Sequence, residues 1–313
     1  MNIKKVFIIL LNWNNWHETQ ECLKSLEKVD YDNFEIIIVD NGSQGEEHEK
    51  IESAHTIYNI QYTIYNKDNE GFAGGNNVGI KYALEHGADY VFLLNNDATV
   101  APDFLAELVK IGESDKSFGI LGSRIYKYSS DDVVFDGGKI NKWLTKGEHR
   151  KYQVSSIKYQ AVDYITGAAF FIKKEVIEKI GLMREEYFLY YEDVDWCIRA
   201  RKEGYKCVLV PASHIWHKVS ATNKEGSPSY IYYHTRNALM LAKFNGNIAQ
   251  KVAAYILGLW ILLKQIIKYF LLPSKRVWAR AMTRGVTDFY RGKYGPVRSS
   301  PNGLANEASV VNK

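Results

Sequence analysis

Two groups of carboxylates are the residues of this chain whose types and spacing could do chemistry. Asp97 follows an apolar run at residues 91–94 and two asparagines, while Glu192, Asp193 and Asp195 stand together at a predicted helix start. An Asp at the end of an apolar strand can hold a divalent cation against phosphates. A carboxylate at a helix N-terminus can take a proton from an attacking hydroxyl. Together the two sites favour transfer of a sugar or a phosphate group.

Helical geometry separates the roles within the second acidic group. Successive helical residues are rotated by about 100°, so the three carboxylates cannot all face one substrate. We therefore predict Asp193 as the catalytic base, with Glu192 supporting it or binding acceptor hydroxyls. Asp195 is expected to pair with Arg199, one turn further along the helix. A charged first turn that only complements the helix dipole would also explain these carboxylates.

The elements that must position these groups follow from apolar runs that alternate with helical patterns. This alternation predicts an α/β fold with a mostly parallel sheet covered by helices on both faces. The regular alternation fades between residues 117 and 174, then a helix at 193–203 and a strand at 205–210, closed by Pro211, are predicted. The predicted strands are 5–11, 34–40, 61–65, 90–94 and 168–172, and the earlier predicted helices are 16–28, 45–54, 74–86 and 102–111.

Polar residues end four of the predicted strands, at Asn12, Asp40, Asn66 and Asn95. Ligands of open α/β sheets bind at these carboxyl ends. A carboxylate at Asp40 could accept the N3–H of uracil or thymine, although the sequence Asp-Asn-Gly-Ser that begins there is also an ordinary turn.

A glycine-rich loop joins the third predicted strand to its helix. Its glycines permit close backbone approach and would present amides at a helix N-terminus to an anion. Their spacing matches neither the dinucleotide fingerprint nor the P-loop, so hydride transfer and P-loop phosphoryl transfer lose support. The glycines are Gly71, Gly74, Gly75 and Gly79.

Length and composition limit the classes of protein to which the chain can belong. A chain of 313 residues with 46% hydrophobic content can form one large domain plus an appendage. Three cysteines match no zinc spacing and give no disulfide framework, which favours reduced thiols in a cytoplasmic setting. The N-terminal apolar run is short, so it predicts a strand and not a signal peptide. No nucleic-acid partner is expected.

The positive charge lies in a tail, residues 246–313, which we separate from a catalytic domain at residues 1–245. Residues 252–272 are long enough to cross a bilayer, but Lys264 and Lys268 interrupt them, and a central Lys costs about 2.5–3.5 kcal/mol. An in-plane or partly embedded helix on an anionic membrane is therefore expected. The alternative is a helix pair packed on the catalytic domain or on a second subunit. A cationic face follows at Arg276, Arg280 and Arg284.

Several motifs recur in a specific order over residues 3–240, and their order is more specific than any one of them. In this order the chain resembles the family 2 glycosyltransferases of GT-A fold, and within them the rhamnosyltransferase-like branch. The motifs are residues 6–15, Asp40-Asn41-Gly42-Ser43, the loop from Asn69 to Asn77, Leu93-Leu94-Asn95-Asn96-Asp97, Thr166-Gly167-Ala168-Ala169, Glu192-Asp193-Val194-Asp195, Trp216-His217 and Thr235-Arg236-Asn237.

The resemblance implies roles for individual residues. Asp193 would be the general base, and Asp97 would bind the metal as part of a degenerate Asp-x-Asp motif with His217 as a further ligand. Asn95 stands where the fuller motif has its first Asp, so metal affinity would be modest and dependent on the nucleotide. The implied nucleotide contacts are Asn12, Asp40, Gly71, Gly74, Asn76 and Asn96, and the implied acceptor or diphosphate contacts are Trp196 and Arg236.

The resulting prediction is an inverting glycosyltransferase that uses Mg²⁺ or Mn²⁺. It would move a sugar from dTDP-rhamnose or a UDP-sugar to a saccharide acceptor, expected to be linked to lipid, in cell-surface polysaccharide synthesis. It would sit peripherally at the cytoplasmic face of the cell membrane, and a homo-oligomer is left open. Two other classes stay open: a metal-dependent nucleotidyltransferase and a catalytically silent carbohydrate-binding protein.

Overall fold

The computed structural model describes residues 3–58, 60–141, 143, 146–149, 157–218 and 226–297. Its first half alternates strands and helices as the apolar patterning predicts. The elements are β1 Val6–Asn12, α1 Trp16–Leu26, β2 Phe34–Asp40, α2 Glu47–Tyr58, β3 Tyr62–Tyr65, α3 Gly71–Glu85, β4 Tyr90–Asn95, β5 Ala98–Val100 and α4 Phe104–Gly112.

The second half is richer in short strands and ends in three helices. Two single 3₁₀ turns, Glu185–Tyr187 and Pro273–Lys275, precede α6 and α9. The elements are β6 Phe118–Lys127, β7 Val133–Phe135, β8 Gly138–Asn141, β9 Lys146–His149, β10 Gln160–Val162, β11 Ala169–Lys173, α5 Lys174–Ile180, α6 Glu192–Lys202, β12 Lys206–His217, α7 Pro228–Asn245, α8 Ile248–Leu271 and α9 Arg276–Tyr290.

A single mixed sheet forms the centre, in the order β10-β12-β6-β11-β4-β1-β2-β3. The pairs β1–β2, β1–β4, β2–β3 and β6–β12 are parallel, while β11 runs antiparallel between β4 and β6. Strands such as β1 and β2 are apolar on both faces because helices cover both sides of a parallel sheet. The predicted α/β class is confirmed.

The last strand differs from its predicted extent. β12 continues through Pro211 to His217, whereas the sequence predicted that Pro211 would end it and leave both later histidines in a loop. The pairing of β12 with β6 shifts between Val210 and His214. Such an irregularity lets a strand tolerate a proline, which cannot donate to the ladder. His214 and His217 therefore lie on a strand.

The parallel register aligns the polar strand ends. Asn12 pairs with Asp40, Asp40 pairs with Tyr65, and Leu11 pairs with Asn95. Since carboxyl ends of parallel strands meet at one edge, the sheet gathers these side chains along a single rim.

The three C-terminal helices pack on one another. The N-terminus of α8 has a capping box between Asn247 and Gln250. Gly258 of α8 lies so close to α9 that a Cβ there would meet the Tyr290 hydroxyl at 2.8 Å. In the described part of the chain, α8 is the one helix with the length and composition to cross a membrane, and little of it is buried. Residues 298–313 of the predicted tail lie outside the described residues.

An exposed apolar face runs along α8, opposite its contacts with α7 and α9. We call it the apolar face of α8. Its members recur every three or four residues, which places them on one side of the helix. They are Val252, Ile256, Leu259, Leu263, Ile266, Ile267 and Phe270.

Candidate active site

Asp193 lies at the start of α6 and is partly buried. One carboxylate oxygen accepts the backbone N–H of Gly167 at 2.8 Å, and the other accepts that of Val194 at 2.7 Å. Burial raises the pKa of the Asp193 carboxyl, although these backbone hydrogen bonds oppose the shift. The result is a fixed carboxylate with a raised proton affinity, which suits a general base.

Glu192 occupies a different environment from its neighbour. Its side chain is only 4% exposed, and its Oε2 has no hydrogen-bond partner among the described residues. Burial, together with the charge of Asp193, raises the pKa of the Glu192 carboxyl well above its usual range. Glu192 is therefore a buried acid whose surroundings favour its protonated form, and it is too enclosed to bind acceptor hydroxyls.

A strained turn at residues 187–191 positions the carboxylates of Glu192 and Asp193, and we call it the pre-α6 turn. Phe188, Tyr190 and Tyr191 have φ values of 64°, 69° and 74°. Such conformations cost non-glycine residues on the order of 1–3 kcal/mol each, and they persist only where the surroundings enforce them. Asn237 of α7 supplies that enforcement, because its Nδ2 donates to the carbonyls of Tyr187, Leu189 and Tyr190.

Arg236 belongs to the same support. It is fully buried, and its guanidinium donates to the carbonyls of Tyr187 at 3.1 Å and Gly295 at 2.7 Å. The prediction that Arg236 contacts the acceptor or the diphosphate is wrong, because no part of its side chain reaches solvent.

Trp196 is also part of the core. It has no exposed surface, its ring stacks on Phe170 at 5.3 Å, and its indole N–H donates to the Gly181 carbonyl. Its predicted contact with the acceptor is therefore wrong. Asp195, in contrast, pairs with Arg199 at 2.8 Å as expected, and also with Arg184 at 2.6 Å.

The second acidic site pairs Asp97 with His217. Antiparallel pairing of β5 with β12 sets Ala98 opposite His217, which brings the imidazole Nε2 to 2.8 Å from Asp97 Oδ1. Asn95 Nδ2 lies 3.2 Å from the same imidazole nitrogen. We call Asp97 and His217 the acid–imidazole pair. One carboxylate and one imidazole fit a divalent cation that takes its remaining ligands from a bound diphosphate.

Backbone contacts connect the two acidic sites. Gly167, which donates to Asp193, is followed by Ala168, whose carbonyl accepts the N–H of Asn95 at 3.1 Å. Asn95 in turn contacts the imidazole of the acid–imidazole pair. Residues almost a hundred positions apart thus converge on the carboxyl edge of β4.

Asp40, the predicted contact of the nucleobase, is enclosed. It has no exposed surface, and its carboxylate accepts hydrogen bonds from Asn12 Nδ2 at 3.1 Å and from the Ser43 hydroxyl. His48 Nε2 lies 3.0 Å from the other oxygen, and the His48 ring rests 4.2 Å from the ring of Tyr65. A nucleobase can reach the Asp40 carboxylate only if the half-exposed His48 moves aside. Nothing in the sequence singles out His48, which belongs to the early part of α2.

Asn12 and Asn96 brace Asp40 through Thr19. Asn96 Nδ2 donates to the Thr19 hydroxyl at 2.8 Å, and that hydroxyl donates to Asn12 Oδ1 at 2.7 Å. Asn12 is as fully buried as Asp40, and its direct contact with the nucleotide stays a prediction. Its amide orients the carboxylate of Asp40.

The glycine-rich loop contacts the pre-α6 turn. Gly71 has a φ of +73°, and a Cβ there would lie 2.4 Å from the Phe188 carbonyl oxygen, so only glycine fits. The same carbonyl accepts the N–H groups of Phe72 at 2.7 Å and Ala73 at 3.4 Å. The protein's own carbonyl therefore occupies two of the amides at the start of α3, and these two do not face an anion in this structure.

Gly74 and Asn76, also predicted as nucleotide contacts, are buried in the first two turns of α3. Asn76 Nδ2 donates to the Phe72 carbonyl at 2.8 Å, and a Cβ on Gly74 would meet the Cβ of Glu70 at 2.8 Å. Both residues shape the loop from within, so direct contact with a nucleotide is wrong for this pair.

A mixed α/β sheet with two acidic sites on its carboxyl edge defines the class of GT-A-like sugar-nucleotide transferases. The sequence matches the family Glycosyl transferase family 2 over residues 7–181, more than half of the chain. The chain belongs to this family and is an enzyme of the hexosyltransferase class, and the resemblance drawn from the motifs is confirmed.

Characterised relatives have related activities. The low-salt glycan biosynthesis hexosyltransferase Agl10 of Haloferax volcanii is 27% identical over 220 residues, covering 66% of this chain and 66% of that protein. The dTDP-rhamnosyl transferase RfbF of Shigella flexneri is 24% identical over 253 residues, covering 77% and 80%. The mannosyltransferase PcManGT of Pyrobaculum calidifontis, solved with GDP-Man and Mn²⁺, shares the fold with a TM-score of 0.59 at 15% identity, covering 94% and 89%.

Proposed function

We propose that this protein is an inverting glycosyltransferase with Asp193 as its base. The observation that carries the proposal is the convergence of Asp193 and the acid–imidazole pair on one edge of the sheet. The Asp193 carboxylate takes the proton of an acceptor hydroxyl. The hydroxyl oxygen bonds to the anomeric carbon as the bond from that carbon to the diphosphate oxygen breaks, and the diphosphate leaves with the electron pair. No covalent enzyme intermediate is needed.

Asp97 and His217 would hold the divalent cation, Mg²⁺ or Mn²⁺. When bound, the cation would neutralise charge on the diphosphate. Asn95 orients the imidazole and offers no second carboxylate, so we expect cation affinity to depend on the nucleotide.

For the donor we propose dTDP-rhamnose first and UDP-sugars second. The relative named a dTDP-rhamnosyl transferase supports the first choice. Asp40 would accept the N3–H that thymine and uracil share, once His48 leaves its carboxylate. Asn12, Thr19 and Asn96 would keep that carboxylate oriented.

For the acceptor we propose a lipid-linked saccharide at the cytoplasmic face of a membrane. The apolar face of α8 and the arginines of α9 support this choice, since an apolar surface beside basic side chains suits an anionic bilayer. The triple variant Leu259→Ser, Leu263→Ser, Ile267→Ser should lose cosedimentation with phosphatidylglycerol vesicles. Ile57→Ser, at an equally exposed site on α2, is the control. Unchanged binding by the triple variant would exclude this face as the membrane contact.

A panel of nucleotide sugars, incubated with Mn²⁺ or Mg²⁺ and candidate saccharides, tests the reaction itself. Release of nucleoside diphosphate with a glycosylated acceptor is the expected result. In a parallel incubation with a nucleoside triphosphate, release of pyrophosphate would instead establish a nucleotidyltransferase. Sugar binding without turnover would establish a silent carbohydrate-binding protein.

A further inference from the structure

A cavity of about 490 Å³ lies among α7, α8 and α9. Apolar side chains from all three helices form most of its walls, including Ile231 of α7, Leu257 and Ile261 of α8, and Trp278 of α9. None of the residues assigned above to donor or cation lines this cavity. It is large enough for part of a hydrocarbon chain together with a small polar group.

The charged side chains that line the cavity are all basic. Lys146, Lys268 and Lys275 line it, and none of its described lining residues is acidic. His234 also lines it, and the Nε2 of that ring is buried without a hydrogen-bond partner among the described residues. Burial and the nearby charges of His149 and Lys146 lower the pKa of His234 to about 4, so the ring is neutral. An anion with an apolar extension would match these walls.

The position of the cavity links the apolar face of α8 to the catalytic base. Tyr191 forms part of the wall and is also the N-cap residue of α6, directly before Glu192 and Asp193. The opposite part of the wall belongs to α8, which carries the exposed apolar face on its other side. A molecule in the cavity would therefore contact both α8, the helix proposed to meet the membrane, and the turn that carries the base.

We propose that this cavity binds the phosphate or diphosphate of a long-chain lipid whose saccharide end is the acceptor. Lys268 and Lys275 pair with the phosphate oxygens, His234 Nε2 takes part in a hydrogen bond with the ligand, and the apolar walls contact the first carbons of the chain. This inference rests on the proposed function, because it assigns the acceptor side of the same reaction. A soluble anion would gain nothing from the apolar walls, and a neutral lipid would leave the lysines unpaired.

Binding of farnesyl diphosphate to the full chain, measured by calorimetry without any donor, tests the cavity directly. The variant Lys268→Gln/Lys275→Gln should bind at least tenfold more weakly. The control Lys251→Gln/Lys264→Gln removes the same charge from exposed α8 lysines outside the cavity and should change the affinity less than twofold. Equal losses in both variants, or inorganic pyrophosphate binding as tightly as farnesyl diphosphate, would overturn the proposal.

Turnover separates this inference from the proposed function. The cavity variant should raise the KM for a lipid-diphosphate-linked saccharide and leave turnover of a free saccharide unchanged. Turnover of nucleotide sugars by a wild-type protein that does not bind farnesyl diphosphate would refute only the cavity inference, and the proposed reaction would be supported. Selective binding of farnesyl diphosphate without turnover of any nucleotide sugar would refute the proposed reaction and still support an anionic-lipid site in the cavity.

Discussion

Replacing Asp193 with Asn tests the base, and the structure sets the size of two separate effects. Each carboxylate oxygen accepts one backbone N–H, from Gly167 and Val194. An amide offers one acceptor, so in either orientation one N–H faces an NH₂ group. Leaving that donor unsatisfied costs about 1–3 kcal/mol of folding stability. Loss of a general base lowers kcat by about 10²–10⁴-fold. A typical domain has about 5–15 kcal/mol of stability, so the variant should stay folded.

Three measurements separate catalysis from stability: kcat from nucleoside diphosphate release, donor affinity by calorimetry, and urea unfolding. Ser123→Ala is the stability control, because it removes a buried hydroxyl whose partner, Ser213, belongs to neither acidic site. We expect Asp193→Asn to bind donor normally and lose at least a hundredfold in kcat, while Ser123→Ala keeps its kcat. A kcat within threefold of wild type would refute the role of Asp193.

The pH dependence of the wild type follows from the same carboxylate. Asp193 must be deprotonated to accept a proton, so kcat/KM falls as pH decreases through its pKa. Because burial raises the pKa of Asp193, the fall should begin at higher pH than for a free aspartate. An acid limb centred at or below the pKa of a free aspartate would contradict this environment.

Three further substitutions probe the groups around the base. The raised pKa of Glu192 means that wild-type stability is lost as pH rises from the unfolded carboxyl pKa, about 4.3, through the folded value. Glu192→Gln should flatten this slope in urea unfolding and be the more stable protein at pH 8; an unchanged slope would mean that the acid is already ionised. His217→Ala should raise the Mn²⁺ concentration for half-maximal turnover at least tenfold, with His214→Ala, on the opposite face of β12, as the unaffected control. Asn237→Ala removes the side-chain donor shared by three carbonyls of the pre-α6 turn, of which only that of Tyr187 keeps a bond to Arg236. It should lower both kcat and the unfolding free energy, the latter by about 1–3 kcal/mol; a change in KM alone would argue for a substrate contact instead.

The elements were predictable because the local pattern determines them. Apolar runs and helical periodicity located the strands β1 to β4 and the helices α1 to α4 within a few residues, but not the short strand β5. The parallel alternation predicted which strand ends carry polar groups. The roles of Trp196 and Arg236 were not predictable, since only packing shows that both side chains face the core. The Gly71 contact was equally hidden, because its partner Phe188 lies more than a hundred residues away in the chain. Short-range spacing carries no signal for such pairs.

The support of the pre-α6 turn bears on the predicted boundary at residue 245. Arg236 donates to the Gly295 carbonyl, and Tyr232 of α7 donates to Asp288 of α9 at 2.9 Å. Deleting residues 246–313 would leave Arg236 with an unsatisfied buried donor and would expose the apolar side of α7. We therefore expect the truncated protein to lose membrane binding and also to lose most of its turnover of a free saccharide acceptor. The serine triple variant at the apolar face of α8 should lose only membrane binding and keep its turnover of a free saccharide. Full turnover by the truncated protein would show that the tail is an independent appendage and that α7 alone maintains the turn.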